Sequence, residues 1–163
     1  MNQKKEKHSG MKKGMYRKFI ITLVLSFIAM YITMYMHTYD WDHVWFSLTR
    51  LYMAVLGICA MAVIMLTMML GMYKNRKKNI AIYTGSILIF FSALGLVRAQ
   101  IPVDDVLWMK AMIPHHSVAI LASKRAHITD PEAQKLAKEI IEAQQREIAE
   151  MKKIIYRLEN QEE

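Results

Sequence analysis

Three long stretches without a charged residue constrain this chain more than any other feature of its sequence. They cover residues 19–36, 51–73 and 80–97. A bilayer core of ~30 Å is crossed by about 20 predominantly apolar residues in a helix. Helices are expected because a segment in lipid must satisfy its own backbone hydrogen bonds. The first stretch also exceeds the roughly 7–15 apolar residues of a signal peptide. We therefore predict a membrane region over residues 19–98 that contains three transmembrane helices.

The lysines and arginines around these stretches predict the orientation. Residues 1–18 carry seven of them and residues 74–78 carry four, whereas the loop 37–50 carries only Arg50. An excess of Lys and Arg marks the cytoplasmic side of a membrane protein. We therefore expect a multi-pass protein of the cell membrane with a basic, flexible cytoplasmic tail at residues 1–18. The C-terminal part is then extracytoplasmic, either periplasmic or extracellular.

The net charge of +8 belongs to the membrane half of the chain. Residues 1–97 carry 12 Lys and Arg against 3 Asp and Glu, and residues 98–163 carry 10 against 11. Binding to nucleic acid needs a basic face on a folded domain, which this distribution does not supply. The expected partners of the chain are membrane lipid and further copies of itself, and nucleic acid is not expected. The single cysteine, Cys59, excludes an intrachain disulfide.

Residues 103–160 are predicted to form a separate, charged helical domain. Pro102 ends the third span, and Asp104 or Asp105 can cap a helix that reaches about residue 126. Pro114 lies inside that helix and predicts either a kink or a late start.

A second helix of this domain is predicted from about Pro131 to residue 160. Thr129 or Asp130 can cap it, and Pro131 suits its first position. Its apolar residues recur mostly at steps of three and four. The predicted fold class is thus all-α, with three transmembrane helices followed by an extracytoplasmic antiparallel helical hairpin.

Methionine and histidine share one face of the first hairpin helix. Met109, Met112 and His116 stand at positions i, i+3 and i+7, and His115 flanks the same face. Thioether sulfur and imidazole nitrogen are ligands for soft or borderline metals, above all Cu(I), with Cu(II) held through imidazole. We name the copper ion, as Cu(I) or Cu(II), as the expected metal.

The second hairpin helix offers donors opposite this face. Equal distances from a turn near residue 129 place residues 109–116 opposite about 142–149. Glu147 and Met151 are further candidate ligands, and Gln144 is a candidate for an outer hydrogen bond to a ligand. Each residue also has an ordinary interpretation, since Met often fills a core and His and Glu often lie on a solvated face.

The residues of this domain resemble those of a known family. The resemblance is based on the pattern Met109-x-x-Met112-Ile-Pro-His115-His116, followed by Gln144-x-x-Glu147-Ile-x-x-Met151. It is similar to a widespread bacterial family with a domain of unknown function and a ferritin-like helical fold. Some members of that family are periplasmic copper-binding proteins. The resemblance covers about residues 104–155 and implies a half-bundle with a copper role, although Leu121 and Ala122 stand where many relatives carry a further Met.

Two functions remain open from the sequence. The first is a membrane-anchored extracytoplasmic protein that binds copper for homeostasis. The alternative is a structural or interaction module whose hairpin only forms homo-oligomers, because two helices bury too little surface alone. An enzyme is not expected. The Glu-x-x-His pairs of a di-metal carboxylate site are absent from the sequence, and no nucleophile constellation is present.

Overall fold

Helices make up most of the described residues. The computed structural model describes the backbone of residues 2–160 and the side chains of residues 14–160. Five α-helices and a short 3-10 segment, Trp41–His43, occur in these residues, and no strand is found among them. The α-helices are α1 (Asn2–Thr33), α2 (Leu48–Met68), α3 (Arg76–Ala99), α4 (Asp105–Arg125) and α5 (Pro131–Glu159). The prediction of an all-α chain is therefore confirmed.

Three helices are long and apolar enough to cross a membrane. They are the segment Gly14–Thr33 of α1, the whole of α2 and the whole of α3. The prediction of three such helices is confirmed, with boundaries that move by a few residues. α1 also continues back to Asn2, where a flexible tail was predicted. Lys, Gln and Glu are good helix formers, and extending an existing helix avoids the cost of nucleation.

Contacts divide the chain into two compact units, each of which is described separately. The first, here the membrane unit, contains the residues up to 32 and residues 51–100. The second, here the polar unit, contains residues 33–50 and the chain from residue 101 onwards. The polar unit thus includes a segment outside the predicted 103–160 domain.

The membrane unit has an apolar cluster at the start of the Gly14–Thr33 segment. Tyr16, Phe19, Leu66 and Tyr73 are buried there, and the ring of Tyr73 meets the rings of both Tyr16 and Phe19 edge-on. Aromatic pairs of this geometry add about 0.5–1.5 kcal/mol beyond the area that they bury.

The polar unit is built on packing between α4 and α5. Its buried cluster comprises six residues from the two helices, Met109, Ile113, Ile120, Ile148, Met151 and Ile155. Two ion pairs across the interface show that α4 and α5 run in opposite directions, because an earlier residue of α4 pairs with a later residue of α5. Lys110 lies 2.5 Å from Glu159, and His116 lies 3.1 Å from Glu147.

The ends of α4 and α5 follow the capping residues that the sequence indicates. The Asp104 carboxylate accepts a hydrogen bond from the Leu107 amide at 2.7 Å, and Asp130 accepts one from the Ala133 amide at 2.8 Å. Pro114 lies inside a helix that already begins at Asp105, so the predicted late start is wrong. The cap at Asp104 establishes the helix two turns earlier, and the Pro114 ring is itself buried.

Candidate functional site

A histidine and a carboxylate meet across the contact between α4 and α5. The Nδ1 atom of His116 lies 3.1 Å from Oε2 of Glu147. The His116 side chain is 14% exposed and the Glu147 side chain 45% exposed. Nδ1 is buried and makes no hydrogen bond of normal geometry within the described residues, although the Glu147 carboxylate lies within ion-pair distance. A buried nitrogen is thus held beside a carboxylate without a well-formed hydrogen bond.

Thioether groups lie next to this pair. Met109 and Met151 are 4% and 7% exposed and belong to the buried cluster of the polar unit, and Met112 packs against that cluster. Met112 precedes His116 by one helical turn, and Met151 follows Glu147 by one turn. Because α4 and α5 run in opposite directions, the turn of α4 that contains Met112 lies beside the turn of α5 that contains Met151. Two sulfur-bearing side chains therefore lie one turn from the His116–Glu147 pair.

The remaining candidates lie further out. His115 is exposed, and its ring centroid is 6.1 Å from that of His116. Gln144 is half-buried and precedes Glu147 by three residues. The structure thus brings His116 close to Glu147 and gathers Met109, Met112 and Met151 around one cluster. It leaves His115 at the solvent-facing side.

Burial controls the protonation of His116. Removal from solvent lowers its pKa below the ordinary value, the Glu147 carboxylate opposes that shift, and His115 adds to it. Desolvation disfavours the charged form of an imidazole. His116 is therefore neutral near pH 7, which is the form that ligates metals.

The segment 33–50 contributes further residues next to this site. Ser117, which directly follows His116, is fully buried. Its Oγ accepts a hydrogen bond from the Tyr39 amide at 2.7 Å and lies 3.0 Å from Nδ1 of His43. Trp45 packs against the buried cluster, and Lys152 on α5 pairs with Asp42. The segment 33–50 therefore contacts α4 at Ser117 and packs against the buried cluster of α4 and α5.

One signal for Ser117 was available in the sequence. Ile113, Ser117 and Ile120 follow one another at steps of four and three, so Ser117 shares the buried face of α4. A polar residue on an apolar face indicates a hydrogen-bonding partner from elsewhere. Nothing in the local sequence identifies that partner as Tyr39 or His43.

The donor set differs from that of an all-oxygen, all-nitrogen or thiolate metal centre. Within residues 14–160, no three His, Cys, Asp or Glu side chains group as they would around an ion. The side chains nearest the His116–Glu147 pair that could add donors to a bound metal are the methionine thioethers of the neighbouring turns. Such a set fits a soft ion such as Cu(I) and does not fit Mg²⁺ or Ca²⁺.

Comparison with known proteins places the chain in a family. Residues 93–155 match the family described as Domain of unknown function (DUF305). An uncharacterized protein of Acanthamoeba polyphaga mimivirus is 36% identical over 110 residues, which are 66% of this chain and 70% of the viral protein. No solved structure matches the chain. The chain therefore belongs to the family of this viral protein and carries a DUF305 domain at residues 93–155.

Proposed function

We propose that the protein is a membrane-anchored copper-binding protein. The three apolar helices anchor the chain, and the antiparallel hairpin of α4 and α5 binds the ion outside the cytoplasm. Binding, storage and delivery need no catalytic group, so we assign no enzymatic activity.

The observation that carries this proposal is the buried, unpaired Nδ1 of His116 beside Glu147. A buried polar atom without a partner costs free energy, of the order of 1–3 kcal/mol. A metal ion bound at that nitrogen would remove this cost.

The chemistry of the neighbouring side chains supports copper over other metals. Met112, His116, Glu147 and Met151 lie within one turn of each other on the two helices, and we assign them as the ligands. Met109, from within the cluster, and the exposed His115 are further candidate ligands. Thioether and neutral imidazole groups suit Cu(I), and imidazole with carboxylate suits Cu(II). The copper ion is the cargo of the protein, and these ligands bind and retain it.

The distribution of charge supports the orientation. Arg17, Lys18 and the cations of residues 74–78 lie at one end of the candidate spans, and Lys and Arg favour the cytoplasmic side. The polar unit then lies in the compartment where a site made of methionine, without cysteine, is not competing with cytosolic thiols.

The proposal is tested by titrating the purified full-length protein in detergent with Cu(I) against a competing chelator. We expect His116→Ala to weaken the affinity by at least about tenfold, since even indirect partners of ligands are worth 10–100-fold. Met112→Leu keeps the apolar volume and removes the sulfur, and it should weaken binding similarly.

Matched variants separate this site from adventitious binding. His127→Ala changes an exposed histidine beyond the end of α4, and Met36→Leu changes an exposed methionine of the same unit. Both should leave the affinity unchanged. Equal affinity in His116→Ala and wild type, with helix content preserved by circular dichroism, would refute the copper site.

A second function is favoured by apolar side chains on the outside of the polar unit. Trp108 on α4 and Leu136 and Tyr156 on α5 are exposed. Two such hairpins would cover these side chains in a homo-oligomeric four-helix bundle of ferritin-like form. The protein would then be a structural or interaction module. An oligomer that forms and melts identically with and without copper, combined with loss of the affinity difference above, would favour this function.

A further inference from the structure

Six cations gather at one end of the membrane unit. Residues 14–32 and 51–100 contain seven Lys and Arg and no Asp or Glu. One of the seven, Arg98, lies in the last turn of α3. The other six lie on α1 and on the connection from α2 into α3, and we call them the basic end: Arg17, Lys18, Lys74, Arg76, Lys77 and Lys78.

Hydrogen bonds hold the two segments of the basic end together. The Tyr16 hydroxyl donates to Oδ1 of Asn79 at 2.6 Å and accepts from the Asn75 amide at 3.1 Å. The Asn79 side chain donates to the Tyr73 carbonyl at 2.7 Å. Tyr16, Tyr73 and Asn79 are all buried. Arg17 and Lys18, which follow Tyr16, are therefore held beside the cations of residues 74–78.

The cations of the basic end face outward. All six are exposed, and none forms an ion pair among the described residues. The ammonium of Lys78 lies 4.9 Å from the centre of the Tyr16 ring, so its position is also tied to the buried network. Like charges gathered in this way repel one another, and a bound anion would offset this repulsion.

Large apolar side chains are exposed directly beside these charges. Ile20 and Ile21 follow Lys18, Met72 precedes Lys74, and Ile80 follows Asn79. The complementary ligand is therefore an amphipathic anion, with charge next to a hydrocarbon chain. Free phosphate or nucleic acid would match the cations and leave the apolar neighbours uncovered.

We propose that the basic end binds the phosphate headgroups of anionic glycerophospholipids, whose acyl chains lie along Ile20, Met72 and Ile80. Basic segments next to a transmembrane helix attract such lipids, with about 1 kcal/mol per Lys or Arg, or roughly fivefold per cation. The inference requires the three apolar helices to lie in a membrane. It is independent of copper binding by the polar unit.

The test is the lipid preference of the full-length protein, measured by native mass spectrometry from detergent with phosphatidylglycerol and phosphatidylcholine in competition. We expect phosphatidylglycerol to be retained at least about tenfold over phosphatidylcholine, in line with several cations at roughly fivefold each. Replacing Arg76, Lys77 and Lys78 together by Gln should lower the ratio at least about fivefold, with part of the preference retained through Arg17, Lys18 and Lys74. Tyr16→Phe keeps the ring and loses the hydroxyl, so it should reduce the ratio without abolishing it.

Arg98→Gln is the matched control, since it removes one cation from the other end of α3 and should not change the ratio. Three results would overturn the proposal. One is equal retention of the two lipids by the wild type. Another is an undiminished ratio in the triple variant. The third is displacement of phosphatidylglycerol by an equal concentration of inorganic phosphate, which would show that the phosphate alone is recognised.

Discussion

At the scale of single residues, Ser117 joins two distant parts of the polar unit. Its buried hydroxyl meets Tyr39 and His43, which precede it by more than 70 residues. Burial lowers the pKa of His43, and the charge of Lys152 lowers it further. Asp40 and Asp42 act in the opposite direction. The fold therefore favours a neutral His43 against the buried serine.

This preference predicts how stability depends on pH. The unfolded chain protonates His43 near its ordinary pKa of about 6.5, whereas the folded chain does so only at lower pH. Between these values the unfolded state binds more protons, so the free energy of unfolding falls as pH decreases below about 6.5. We expect the melting temperature of the metal-free protein to fall between pH 7 and pH 5.

His116, whose pKa is also lowered by burial, contributes to the same fall. The variant His43→Gln measures the contribution of His43, because glutamine stays neutral over this pH range. The melting temperature of this variant should decrease less between pH 7 and pH 5 than that of the wild type. His37→Gln changes an exposed histidine of the same segment and serves as the control. A fall as steep in His43→Gln as in wild type would contradict the assignment.

At the scale of helices, the capping residues decide where α4 and α5 begin. Asp130 accepts from the Ala133 amide, and Pro131 follows at the first helical position. Asp130→Ala should lower the free energy of unfolding by about 1 kcal/mol, the usual value of an N-cap. Asp130→Asn keeps an acceptor oxygen and should cost much less. Chemical denaturation monitored by helix content measures both, and equal losses in the two variants would show that the hydrogen bond accepted by the cap side chain contributes nothing.

The same caps explain which parts of the fold could be predicted from the sequence. Asp104, Asp130 and Pro131 are local signals, and the observed bounds of α4 and α5 lie within a residue of the predicted ones. The register between these helices is not local. Equal distances from the turn place residue 116 opposite about 142, whereas His116 contacts Glu147. Packing of the buried side chains, which the local sequence does not encode, determines this offset.

At the scale of the whole molecule, the sequence predicted a separate C-terminal domain at residues 103–160. It did not predict that residues 33–50 belong to the same compact unit. Residues 33–50 belong to the polar unit through Ser117, the buried cluster and the Lys152–Asp42 pair. These contacts join residues as far as 110 positions apart, so no periodicity in either segment reveals them. The candidate ligands followed from helical spacing, whereas the residues that enclose them did not.

The orientation of the chain gives a last prediction. If charge determines topology, the turn at Lys74 lies in the cytoplasm and the turn at Thr129 lies outside. In a Cys59→Ser background, Thr129→Cys should react with a membrane-impermeant thiol reagent in intact cells. Lys74→Cys should react only after permeabilisation. It leaves Arg76, Lys77 and Lys78 in place, so the charge difference that sets the orientation is largely preserved. Labelling of Lys74→Cys in intact cells, with Thr129→Cys protected, would invert the topology and place the proposed copper ligands in the cytoplasm.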